Sequence, residues 1–231
     1  MPRERLPKPE RAIGWLALAA VVMIVILNGK PSFSSASVPP RGIGDNVVAL
    51  QVARNVKEVD SILGDAPSPD REAMRLKQYA DFGFIACYVA LYFALAMLFF
   101  PRARLISATA AVSGLVTGVF DVRENLAILR IVEVPLNRTT QAMVDAIRLA
   151  GLTKWMLAFF TTTLFALLFI QDRKKMWRAI GALDLIAAAL GFYGLYDNAF
   201  LVWASIGLGV GLILMVAAFL RFGGMRFSTR R

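Results

Sequence analysis

Six stretches of the 231-residue chain carry no charge or a single one, and between them the charged residues are gathered into clusters. About 30 Å of hydrocarbon is crossed by roughly 18 to 25 apolar residues rising about 1.5 Å each. The stretches come close to that length. They predict an all-α polytopic transmembrane bundle with spans at about 12–29, 82–100, 105–128, 153–171, 179–196 and 199–220, the third running past its uncharged stretch, which stops at Phe120, into a charged outer end. Only Asp197 and Asn198 separate the last two, so these form a tight helical hairpin. The first run follows Arg3, Arg5, Lys8 and Arg11 and has the layout of a signal peptide. With only a weak small-x-small pattern near Ser35 to Ser37, a retained anchor is the expectation, and cleavage would leave five spans.

Composition agrees with the spans. The chain is 58% hydrophobic with a mean hydropathy of +0.60, more apolar side chain than a water-soluble fold can hide. There is no histidine, and Cys87 is the single cysteine. Zinc sites of the His/Cys type, bis-histidine haem and iron–sulfur clusters are therefore excluded, as is an internal disulfide. Chemistry has to run on carboxylates, hydroxyls, amides, lysine or a bound hard cation.

Lysine and arginine in short loops set orientation. With the N-terminus inside, residues 1–11, 101–104, 171–178 and 221–231 hold 14 basic and three acidic residues, while the opposite loops hold 12 of each. Both termini are thus expected in the cytoplasm, most simply at a bacterial inner membrane. The net charge of +10 is read as setting topology and attracting anionic head groups, with no role in nucleic-acid binding.

Residues 30–44 form a Pro/Ser/Gly-rich linker. Val48, Val52, Val56, Val59, Ile62 and Leu63 then recur at three- and four-residue spacing and predict one amphipathic helix over about 45–63, closed at Gly64. It is expected on the outer membrane surface or as a cap on the bundle. Ser68 followed by Pro69 predicts a helix start that runs into the second span. Asn137 or Thr139 is expected to start the helix that enters the fourth, after Pro135 stops the third.

Asp121, Glu124 and Asn125 stand at i, i+3 and i+4, so two carboxylates and an amide share a helix face near the outer end of the third span. Carboxylates next to hydrocarbon are costly unless they face the bundle or meet a cation or water, so this face is expected to look inward. Asp81, Lys154, Asp197 and Asn198 fall at a similar depth and complete a candidate ligand pocket, with Tyr88, Tyr92, Tyr193 and Tyr196 just below. Carboxylates with amides suit Mg²⁺ or Ca²⁺, with Asp121 and Glu124 as candidate ligands, or the ammonium of a head group. The plainer account is that Asp121, Glu124, Lys154 and Arg148 are ion pairs fixing helix register, or are solvated at the interface. Asp184, alone in the fifth span, is expected to bridge helices or reach back to a basic residue near Arg178, or else to lie on a proton or ion path. Gly114-x-x-x-Gly118 permits close helix approach. Thr161 to Thr163 can satisfy their own hydroxyls.

An amphipathic segment from Ala49 to Leu63, a span opening with Asp81-x-x-Phe84 and a later span ending in Asp121-x-x-Glu124-Asn125 resemble an uncharacterised group of small bacterial multi-pass membrane proteins over roughly residues 45–170. The resemblance implies no activity. No prenyltransferase aspartate repeat, phosphatidyltransferase Asp-Gly-x-x-Ala-Arg run or histidine phosphatase set is found. The leading expectation is a non-catalytic membrane protein that binds a lipid, another amphiphile or a partner subunit through the outer pocket. The alternatives are a cation-dependent enzyme acting on a lipid head group, with Asp121 and Glu124 in the chemistry, and a small transporter using Asp184 and Asp121.

Overall fold

A computed structural model describes residues 8–34 and 36–221, with side chains from Glu10 onward. The basic residues Arg3, Arg5, Arg226, Arg230 and Arg231, the Lys8 side chain and Ser35 lie outside the described residues. The described residues form helices and their connections, with no strand among them: α1 (Lys8–Asn28), α2 (Asn46–Gln51), α3 (Val56–Leu63), α4 (Pro69–Phe99), α5 (Arg104–Val132), α6 (Gln141–Ile170), α7 (Lys175–Gly194) and α8 (Phe200–Leu220). Six of these are long and apolar enough to cross a membrane. Apolar side chains such as Val25, Phe93, Leu115, Leu149, Ile186 and Trp203 point outward on all six, as surfaces facing lipid do. The protein is an integral membrane protein of the multi-pass helical type.

The long helices pack in chain order, α1 on α4, α4 on α5, α5 on α6, α6 on α7 and α7 on α8, and α8 returns to α1. They alternate in direction, so the ring is closed and antiparallel. α2 and α3 lie over one end, called here the capped end; the first and last described residues lie near the other. Small residues allow the close approaches. The Tyr92 ring and Val89 sit on Gly114 and Gly118, where a Cβ would meet them at 2.8 and 2.6 Å, so the predicted glycine pair brings α4 against α5.

Two apolar cores result. One lies under the cap and joins Ile43, Val48, Leu50, Ile62, Leu63 and Met74 to Ile128, Ile147 and Leu201. The other, near the termini, is built on Trp177, Phe169 and Phe219 with Leu95 and Ile13. Trp177 stacks on Phe169 at 5.3 Å and meets Phe219 at 4.7 Å, which closes that end of the ring with aromatic rings.

Two details differ from the sequence reading. The amphipathic segment is broken into α2 and α3 at 52–55, because Asn55 takes an extended backbone and its side chain accepts from the Glu58 amide, capping a new helix. α6 starts after Thr140, neither at Asn137 nor at Thr139. Asn137 falls in a 3₁₀ turn, and the Thr139 hydroxyl turns back to the Pro135 carbonyl. Ser68 caps α4 as expected, accepting from the Arg71 amide at 3.1 Å.

Candidate functional site

The helical spacing of α5 places Asp121, Glu124 and Asn125 on its inner face, with 4%, 0% and 0% of their surface exposed. On α6, Lys154 points at the same place and is 6% exposed. Its ammonium donates to Asp121 Oδ1 at 3.0 Å and Glu124 Oε1 at 3.0 Å, and lies 2.9 Å from Glu124 Oε2. From α4, the Tyr88 hydroxyl donates to Asp121 Oδ2 at 2.9 Å, and Asp81 Oδ2 accepts from the Asn125 amide at 2.8 Å. Two carboxylates therefore share one ammonium, and a third, Asp81, joins the layer through Asn125. The position between the candidate metal ligands Asp121 and Glu124 is held by Lys154, a cation supplied by the chain itself.

α2 closes this layer from above. Gln51 accepts from the Trp155 indole at 3.0 Å, and its backbone oxygen lies over Gly151, where a Cβ would be 3.0 Å from that oxygen and 2.9 Å from Glu124 Oε2. The break after α2 leaves the Val52 carbonyl free of helix bonding. Two guanidinium groups use it, Arg148 at 2.6 Å and Arg41 at 2.9 Å. Arg41 also donates to Glu58 at 3.1 Å and Asn198 at 3.0 Å. Burial draws its guanidinium below the ordinary arginine value, with the Glu58 carboxylate pulling the other way. Farther along the loop Asp65 accepts from the Leu136 and Ala66 amides at 2.8 Å each. These bonds, the Leu136 one first, hold its carboxyl below the usual aspartate range.

Below the polar layer the ring lines a partly open chamber of about 500 Å³. Asp81, Tyr88, Asp121, Lys154 and Gln51 border it at the capped end; Leu91, Leu95, Phe165, Phe169, Leu212 and Met215 form its deeper wall. Thr162 lines it as well, whereas Thr161 and Thr163 bond the carbonyls of Leu157 and Phe159 on their own helix. Gln78 also faces the chamber, and its buried Oε1 has no partner among the described residues. Asp184 lies deeper, 4% exposed, with its carboxylate against Gly211 of α8.

Of the residues expected in the pocket, Asp81, Asp121, Glu124, Asn125 and Lys154 come together. Asp197 and Asn198 do not join them. Asp197 is exposed and accepts from the Ala199 amide; Asn198 is occupied by Arg41 and the Gly194 carbonyl. Tyr193 and Tyr196 face outward at 52% and 83% exposure, whereas Tyr88 is buried. Arg148 serves the cap and leaves Lys154 as the countercharge. Asp184 reaches neither Arg178 nor a polar group on a neighbouring helix. Gln51, Gln78, Trp155 and Gly151 went unremarked in the sequence. Gln51 carried a signal, since it sits next to Val52 on the valine face of an amphipathic segment where an apolar residue is the rule.

Among the described residues no group of three or more carboxylate or cysteine side chains is disposed to hold a metal ion. Comparison of the chain with family models, curated proteins and solved structures gives no match.

Proposed function

We propose that this membrane protein is a non-catalytic binder of a lipid or other amphiphile, held inside the helix ring with its polar part at the Asp81/Asp121/Lys154 layer. One observation carries the reading: the chamber is polar at the capped end and mostly apolar along the rest of its wall, where Asp184 is the one charged residue among those described. Its volume of about 500 Å³ falls within the range of roughly 300 to 1,000 Å³ of small-molecule sites. The excess of basic residues in the loops at the terminal end supports a cytoplasmic placement of both termini, with the cap on the outer side of a bacterial inner membrane. A head-group enzyme using Asp121 and Glu124 is the weaker reading, because Lys154 already sits between the two carboxylates, where a catalytic cation would have to bind.

The test is mass spectrometry of what copurifies with the protein in a neutral detergent. One amphiphile should be retained near equimolar ratio by the native chain and lost from Ala158→Phe, which fills the chamber wall. Copurifying lipid that merely mirrors the bulk membrane, or equal retention by the variant, would overturn the proposal.

A further inference from the structure

We infer that the bound amphiphile carries, below the polar part held at the Asp81/Asp121/Lys154 layer, a cationic nitrogen that Asp184 holds; this rests on the chamber reading above and deepens it. The other acids facing the chamber have partners: Asp121 has Lys154 and Tyr88, Asp81 has Asn125, and Asp45 accepts from the Val48 amide. Asp184 has no hydrogen bond or ion pair with any described residue, although it is 96% buried and lines the chamber. An acid buried at mid-helix without a countercharge is among the most expensive arrangements in a membrane protein. Such an acid points to a cation supplied from outside the chain.

The surroundings are shaped for one. A Cβ at Gly211 would lie 2.3 Å from Asp184 Oδ1, so glycine at that position leaves the carboxylate its place on α8. Tyr92 and Phe165, both lining the chamber, stack with centroids 5.7 Å apart and an interplanar angle of 24°. Tyr92 is fixed by its seat on Gly114. Aromatic faces attract alkylammonium groups. The remaining neighbours along the wall, Leu91, Leu95, Leu208 and Leu212, suit an alkyl chain. The unpartnered Gln78 Oε1 is an acceptor too, so both groups left open toward the chamber call for a donor. Anionic amphiphiles would set like charges against Asp184 and are disfavoured.

The experiment measures equilibrium binding of a labelled long-chain alkylamine, and of the alcohol of equal chain length, to the full chain in nanodiscs, corrected for empty nanodiscs. The native protein should prefer the amine by about tenfold or more. Asp184→Asn, which keeps hydrogen-bonding capacity but removes the charge, should bring amine binding down to the level of the alcohol and leave the alcohol unchanged. Gly211→Ala should also lower amine binding, because its methyl displaces the carboxylate. Equal binding of amine and alcohol by the native chain, or a preference that survives Asp184→Asn, overturns the inference and leaves the chamber reading standing. Binding of neither compound overturns both.

Discussion

The Lys154 ammonium lies 2.9 Å from Glu124 Oε2, and Glu124 has no exposed surface at all. This pair ties α6 to α5 at the level where the chamber turns polar, and Asp121 shares the same ammonium at 3.0 Å. Truncating one partner of a buried pair strands the other charge, which costs far more than the pair contributes net. Lys154→Met should therefore lower stability by about 3 to 5 kcal/mol, read as the midpoint of thermal unfolding in detergent. Adding Glu124→Gln should recover about 1 kcal/mol or more, because it removes one of the stranded charges. A nearly silent Lys154→Met would mean that the carboxylates reach water.

Gly151 holds the cap close to the ion cluster. A methyl there would stand 2.9 Å from Glu124 Oε2 and 3.0 Å from the Gln51 carbonyl, and the second of these is backbone that yields only if α2 lifts. Overpacking of about 1 to 3 kcal/mol outweighs the roughly 1 kcal/mol that alanine gains over glycine in a helix. Gly151→Ala should be destabilising. Gly209→Ala, where nothing lies within 4 Å, should be neutral or slightly stabilising, and the two unfolding curves compared side by side check the assignment.

The Asp65 carboxylate pins the loop after α3 to the turn at Leu136, and its folded-state pKa is depressed by those backbone amides. A depressed carboxyl contributes stability that is present above the unfolded value of about 3.9 and is lost as pH falls through the folded value. Hydrogen exchange at the Leu136 amide should be slower in the native chain than in Asp65→Asn at neutral pH. That difference should shrink steadily below about pH 4. A difference that holds constant into strong acid would show that the ionised carboxylate is not what orders the turn.

Orientation is tested by single cysteines in a Cys87→Ala background. Lys57→Cys, exposed on α3 over the cap, should react with an impermeant thiol reagent in intact cells, and Arg173→Cys, in the loop between α6 and α7, only after permeabilisation. Labelling of position 173 in intact cells would reverse the proposed sidedness.

The number and placement of the spanning helices were determined by the sequence alone, because apolar length against bilayer thickness is a one-dimensional property and needs no knowledge of neighbours. The shared face of Asp121, Glu124 and Asn125 was legible for a similar reason: 3.6 residues per turn sets that relation within α5. Which residues meet that face was decided only by tertiary structure, since the rotation of one helix against the next depends on packing along its whole length. Lys154 and Arg148 were both candidates for the countercharge. They stand six residues apart on α6, and packing turned one into the bundle and gave the other to the Val52 carbonyl. Tyr88 and Tyr193 read alike in sequence until the ring closed, leaving one buried and the other outside. The seat of Asp184 belongs to the same class, because it depends on Gly211, 27 positions farther along the chain, lying directly against that carboxylate.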